Sequence, residues 1–221
     1  MNFKGYTKET LSFMSDLLFN NNKKWFENNR ERFEKYVKEP TVDLVYDIGN
    51  ILYEYTENIN CEPLPGKALF RINNNMRFSK IPYKKYYGFF VWEGPNKFKM
   101  DNSGFYFYFD SEKVFISCGI HQMNKNYTEN FRRSIFSTIA YNELYKLYLK
   151  GIKKKLCICE DSLKRTPSGY NENLFIKKKT LYFYRVFPYD ILTDKDLSGI
   201  ITETYINSIS MHKWIKRHVY I

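Results

Sequence analysis

The chain predicts an α+β fold: a mostly antiparallel sheet with an N-terminal helical layer and a C-terminal helix, in a single domain over residues 1–221. Three observations carry this. Apolar residues recur at helical spacing over residues 1–60, at strand spacing between Ala68 and Cys118, and at helical spacing again after Asn126. The strand-like segments between Tyr87 and Cys118 are joined by connections too short for parallel crossovers. No internal repeat or domain-separating linker interrupts the chain, so residues 1–60 read as a helical layer and 61–221 as a sheet with helices.

Thr7 is the expected N-cap of the first helix, with Leu11, Met14, Leu17 and Leu18 on its apolar side. Asn20-Asn21-Asn22 breaks it. A second helix is predicted from Lys23 to Val37, with Phe26, Phe33 and Val37 inward and Glu31–Lys35 support outside. Pro40 is expected to end that helix and to sit in the first turn of a third, in which Leu44, Ile48, Leu52 and Tyr55 repeat. Cys61 to Gly66 is turn-rich.

Strands are predicted at Ala68–Ile72, Tyr87–Trp92, Gly104–Asp110 and Val114–Cys118, rich in aromatic and β-branched residues. A turn over Glu93–Asn96 joins the second to the third. Helices follow at Asn126–Ser137 and Tyr141–Lys150, the latter with Gly151 as C-cap. Leu156–Cys159 and Thr180–Phe187 are further strands, separated by a loop that includes Lys164–Gly169. A last helix begins near Asp194 and carries Leu197, Ile201, Tyr205, Ile209 and Trp214.

The chain is 43% hydrophobic, enough for a packed core, and 19% aromatic, with Tyr and Phe doing much of the apolar work. Its formal charge of +11 is unevenly spread. Residues 1–60 carry a net charge of −2, whereas residues 61–100 carry +6. An excess of this sign favours encounter with phosphate-bearing partners. Four cysteines in so long a chain do not suggest a disulfide framework. The N-terminal apolar run is interrupted by Asp16 and is too short to cross a bilayer, so neither signal peptide nor membrane association is expected, and the expected compartment is a reducing cytoplasm.

The charge excess centres on Arg71 to Tyr87, which holds two arginines, three lysines, three tyrosines and no acid. Pro82 disfavours helix at Ile81, and Asn73-Asn74-Asn75 favours loop. A long loop carrying Arg77, Lys80, Lys84 and Lys85 is the natural reading, and such loops in compact domains are often functional. Arg and Lys there suit phosphate or carboxylate; Tyr83 offers a hydroxyl or a stacking face. The alternative is a solvated loop with Arg77 paired to an acid of the N-terminal helices.

These residues also carry a resemblance. Phe3-Lys4-Gly5-Tyr6, the run from Leu17 to Trp25-Phe26, Arg71 to Lys80 with Pro82-Tyr83-Lys84, Gly119 with Arg132, and Leu163 to Tyr170 together resemble the bacterial family called domain of unknown function 2461. The resemblance spans most of the chain. It implies an α+β fold and no established activity. It usually implies an Asp where this chain has Asn75, and a longer Ser-Lys-Asp-Lys-Ser-Pro segment where this chain runs Ser79-Lys80-Ile81-Pro82. The absence of those acids counts against acid/base or Mg²⁺ chemistry. The cationic set Arg71, Arg77, Lys80, Lys84, Arg132 and Lys164 remains, with Tyr83 and Tyr170 beside it.

Other constellations are weaker. Cys118, His121, Cys157 and Cys159 could assemble as zinc ligands, but Cys-x-Cys is not the usual spacing, and buried strand cysteines acting as small hydrophobes are the expectation. His121 lacks an obvious orienting carboxylate. His212 and His218 fall near a helix C-terminus, where a cation suits the dipole. Alternation over Phe105–Phe109 could stack bases, though core on one side and covered surface on the other is commoner. No cofactor or metal is expected, and no catalytic residue is assigned. Three functions stay open: a binding module or enzyme with an anionic small-molecule pocket of Arg71, Arg77, Lys80, Lys84, Arg132 and Lys164 shaped by Tyr83 and Tyr170; a nucleic-acid-binding protein using the same surface; and a non-catalytic scaffold. Oligomeric state is not addressed by the sequence.

Overall fold

The computed structural model describes residues 2–95 and 98–221. Its helices are α1 (Lys8–Phe19), α2 (Lys23–Asn28), α3 (Arg30–Phe33), α4 (Glu39–Leu52), α5 (Lys125–Phe136), α6 (Thr138–Lys153) and α7 (Leu197–His218). Its strands are β1 (Tyr87–Glu93), β2 (Ser103–Phe109), β3 (Lys113–Ile120), β4 (Cys157–Ile158) and β5 (Leu181–Pro188). They form one antiparallel sheet in the order β1-β2-β3-β5-β4, so the predicted α+β class holds. The chain folds as two compact units. One comprises residues up to Val91 with Tyr106–Ile116 and Val186–Thr202; the other comprises Trp92–Phe105, Ser117–Arg185 and Glu203–Ile221.

In the first unit the helices cover one face of the strands. Alternation places Tyr87, Phe89, Phe107 and Phe109 on that face. Tyr6 packs on Phe109 with centroids 4.8 Å apart, and Phe33 meets Tyr87 edge-on at 5.2 Å. Phe13, Phe26 and Phe33 knit α1 to α2 and α3. The buried side of α1 is Thr10, Phe13, Met14 and Leu17; Leu11 and Leu18 flank it rather than lead it.

Three expectations change here. The predicted second helix is broken at Asn29, whose side chain donates back to the Trp25 carbonyl at 2.9 Å. Pro40 does not stop the helix that follows. A π-helical turn, Glu34–Lys38, joins α3 directly to α4, with Pro40 in the first turn of α4. Pro40 has no N–H for the Tyr36 carbonyl, and the Thr10 hydroxyl of α1 donates to that oxygen instead, at 2.6 Å. The predicted strand at Ala68–Ile72 is reduced to a bridge between Leu69 and Phe89. It is flanked by Phe70 N–H to Gly88 O at 3.0 Å and Phe90 N–H to Ala68 O at 2.9 Å.

In the second unit α5 and α6 pack with the C-terminal part of α7 around Phe131, Leu144, Phe175, Leu181, Phe183, Trp214 and Ile215. Asn124 caps α5, its Oδ1 accepting from Tyr127 N–H at 2.9 Å. α6 is longer than predicted because Gly151 lies inside it, not at its end. A Cβ there would stand 2.6 Å from the Phe183 ring, so this glycine makes room for an aromatic side chain. Gly119, at φ +142°, lies so close to β5 that a Cβ would meet the Leu181 carbonyl at 2.3 Å. The strand predicted at Leu156–Cys159 is a two-residue edge, β4. The turn expected over Glu93–Asn96 ends outside the described residues at Asn96.

Candidate functional site: a basic loop without acids

The Arg71–Tyr87 stretch is a loop with a built frame. Asn73 and Tyr83 pair across it, Lys84 N–H donates to Ile72 O at 2.8 Å, and Asn74 N–H donates to Pro82 O at 2.8 Å. The Asn74 amide reaches the carbonyls of Ile81 and Tyr83, each at 3.0 Å. At the tip Asn75 Oδ1 accepts from Arg77 N–H at 3.0 Å, so the side chain at the position where the resemblance implies an acid closes a turn. Asn21 clamps the base: its Oδ1 accepts from Tyr83 N–H at 3.0 Å and its amide donates to Tyr83 O at 2.9 Å. The Tyr83 ring stacks on Phe26 at 3.9 Å. With 4% of its surface exposed, Tyr83 serves the core beneath the loop.

The cations sit on this frame. Arg71, Arg77, Lys80 and Lys85 are exposed, and Lys84 is partly buried. The Lys84 ammonium donates to the Arg71 carbonyl and to Asn73 O. Burial, then the neighbouring Arg71 charge, lowers the Lys84 pKa from its ordinary value. The Arg71 guanidinium lies against Gly66, where a Cβ would come within 2.8 Å of Nε. Several acids of this unit pair with other bases. Glu27 takes Arg30, Glu9 and Asp16 take Arg32, Glu34 takes Lys38, and Glu62 takes Lys67. Among the described residues, none of the ion pairs involves Arg71, Arg77, Lys80, Lys84 or Lys85. The alternative pairing of Arg77 with an N-terminal acid is therefore not made.

Arg132, Lys164 and Tyr170 belong to the second unit. Arg132 projects from α5 with its Nε buried and lacking a hydrogen-bond partner. Phe136, one turn further along the same face, meets Tyr170 edge-on at 6.3 Å. Lys164 is exposed in its loop.

The most organised polar cluster in the second unit escaped the sequence reading. Glu93 Oε2 lies 2.9 Å from His212 Nε2, and His212 Nδ1 lies 2.8 Å from Ser103 Oγ. Lys216 Nζ donates to Glu93 Oε1 at 2.5 Å. An ionised carboxylate only accepts, so His212 donates from Nε2 and accepts the Ser103 proton at Nδ1. The His212 hydrogen bond, helped by Lys216, holds the Glu93 carboxyl down at about 2, while burial keeps His212 below its ordinary value. The order carboxylate, imidazole, hydroxyl is that of an activated nucleophile. Here Ser103 and His212 are 0% exposed, so the relay ties the β1–β2 end to α7 instead of meeting a substrate. His212 was expected to serve the helix dipole as a cation. Its spacing from Tyr205 and Ser208 on the buried stripe is the signal that places it inside.

His121 accepts or donates at Ser117 Oγ, 2.8 Å away, and stacks on Tyr182 at 4.1 Å. Burial pushes its pKa down to about 4, so it is neutral at pH 7. Cys118 and Cys159 are buried against the carbonyls of Ser208 and Thr180. Burial raises the Cys118 pKa, as it does for small interior thiols. Among the described residues no three His, Cys, Asp or Glu side chains stand close enough to hold a metal.

A family model described as conserved hypothetical protein (DUF2461) matches residues 9–214. The chain belongs to the DUF2461 family. The match takes in the whole Arg71–Tyr87 loop, and also Arg132, Lys164 and Tyr170. Comparison with curated proteins and with solved structures gave no match. For this DUF2461 member the functional reading therefore rests on its own residues. No helix among the described residues is long and apolar enough to cross a membrane.

Proposed function

We propose that this DUF2461 member binds an anionic ligand, bearing phosphate or carboxylate, at the Arg71–Lys84 pair, with Arg77 and Lys80 reaching over from the tip of the same loop. The observation that carries the reading is the pair itself. Lys84 is partly buried beside Arg71, burial first and the Arg71 charge second disfavouring its charged form, and no acid pairs with either among the described residues. Such an arrangement stores like-charge repulsion that a bound anion relieves. The frame of Asn21, Asn73, Asn74 and Asn75 fixes the backbone that carries these side chains. Binding to such a frame costs less ordering entropy than binding to a flexible tail.

Arg132, Lys164 and Tyr170 are not needed for this reading. Nor is a bond-breaking step: the carboxylate–imidazole–hydroxyl relay of Glu93, His212 and Ser103 is sealed, and the loop carries no acid. Titration calorimetry with pyrophosphate and with citrate tests the proposal. Saturable binding that is lost in Arg71→Ala and in Lys84→Met supports it. Absence of binding by the folded wild-type chain contradicts it.

A further inference from the structure

The basic loop stands at the margin of an aromatic surface. In the first unit, Phe90 on β1 alternates with the helix-covered Phe89, meets Tyr106 at 5.8 Å and is fully buried. The other aromatic residues on that side are Tyr106 and Tyr108 on β2 and Phe115 on β3, with Tyr86 just before β1. These four are only partly buried. Their rings form a continuous field. Tyr86 meets Tyr108 at 5.5 Å, Tyr108 stacks on Phe115 at 5.2 Å, and Tyr106 meets Tyr108 at 5.9 Å. Phe70 closes the field, 5.2 Å from Tyr106 and 6.0 Å from Tyr86. Phe70 and Tyr86 are the immediate chain neighbours of Arg71 and Lys85, so each foot of the loop joins an aromatic to a cation along the chain. Near the C-terminal end of β2, Lys113 lies close to the Tyr108 hydroxyl. Asp110 lies near it, with one carboxylate oxygen taken by the backbone N–H groups of Glu112 and Lys113.

We infer that this aromatic sheet face, edged by Arg71, Lys84 and Lys85, is a platform for single-stranded nucleic acid: bases lie on Tyr106, Tyr108 and Phe115 while the loop cations follow the phosphates. The inference rests on the anion-binding reading above and names the class of its ligand. Charge decides among planar ligands. An uncharged sugar would use the rings and leave the acid-free cations idle, whereas a polyanion uses both. A duplex keeps its base faces stacked inside, so only unpaired bases can reach the rings. At the loop tip Phe78, 87% exposed between Arg77 and Lys80, offers one more stacking face with cations on either side.

Fluorescence anisotropy of the full chain with a labelled decathymidylate and a labelled decauridylate tests the inference, beside the pyrophosphate titration. Saturable binding of one or both is expected, weakening steeply as salt rises. Tyr108→Leu and Phe115→Leu, which keep apolar bulk and remove the aromatic face, are each expected to weaken oligonucleotide binding by about fivefold or more and to leave pyrophosphate binding unchanged. Arg71→Ala is expected to weaken both ligands. Should Tyr108→Leu fail to fold, Phe115→Leu carries the same test, and the wild-type comparison of single strand with duplex needs no variant. Pyrophosphate binding without oligonucleotide binding overturns the platform and leaves the anion site standing. So does unchanged oligonucleotide affinity in both leucine variants, duplex binding as tight as single-strand binding, or preferential binding to anionic lipid vesicles. Failure of both ligands overturns both readings.

Discussion

Thr10 of α1 donates its hydroxyl to the carbonyl of Tyr36 at 2.6 Å, and Tyr36 is the residue whose usual helical partner would be the N–H that Pro40 lacks. The π-helical turn over Glu34–Lys38 and this one hydroxyl let a helix continue through a proline. Thr10 is fully buried, so removing the donor leaves a carbonyl unserved. Thr10→Val is expected to cost about 1–3 kcal/mol in urea unfolding. In a Pro40→Ala background the same change is expected to cost less, because the alanine N–H can serve Tyr36. Equal costs in the two backgrounds would argue that the pairing is incidental.

Gly151 gives a prediction whose sign runs against propensity. Alanine in place of glycine inside a helix ordinarily stabilises by about 1 kcal/mol. Here the added methyl meets the Phe183 ring at 2.6 Å in a filled core. Gly151→Ala is therefore expected to destabilise by about 1–3 kcal/mol. The double variant Gly151→Ala with Phe183→Leu is expected to recover part of that loss, and denaturant midpoints with unchanged slope would read it.

The two buried polar clusters of the second unit set the response to acid. The folded Glu93 pKa, about 2, lies below its ordinary 4.5, so its contribution is fully present above about pH 4.5 and is lost as pH falls toward 2. Glu93→Gln is expected to lower stability at pH 7 and to flatten the stability profile in that window. Urea unfolding at a series of pH values measures both effects.

His121 acts over a higher range. Its folded pKa, about 4, lies below the ordinary 6.5, so the unfolded chain takes up a proton first. Stability is then expected to fall as pH drops from 6.5 to 4 and to show no further His121 contribution below that. His212, also lowered, adds a fall that begins at the same upper limit. His121→Gln, which keeps a hydrogen-bonding partner for Ser117, is expected to reduce the slope between pH 6.5 and 4. An unchanged slope would place the sensitivity elsewhere.

What the sequence revealed divides along physical lines. The strands were legible because Phe105, Phe107 and Phe109 alternate with Tyr106 and Tyr108, and one face is buried against helices. The boundaries of α5 and the start of α7 were legible to within a few residues from the spacing of Tyr127, Phe131, Ile135 and of Leu197, Ile201, Tyr205. The features that were missed depend on partners far away in the chain. Asn21 and Tyr83 are 62 residues apart, so nothing local says that a tyrosine in a basic loop is its anchor. Glu93 and His212 are 119 apart, and each alone looks like a surface group. Gly151 reads as a cap until Phe183 is placed against it. The basic loop itself was plain from composition, because an acid-free run of cations is a property of the sequence. That Lys84 is partly buried beside Arg71 is a property of the fold.

The central claim is that Arg71 and Lys84 together hold an anion. Titration calorimetry with pyrophosphate at low salt, on the wild-type chain and on Arg71→Ala, Lys84→Met and the double variant, tests it most directly. The account predicts saturable wild-type binding, a loss of about tenfold or more in each single variant, and no detectable binding in a double variant that still melts cooperatively. Wild-type affinity retained by the folded double variant would contradict it.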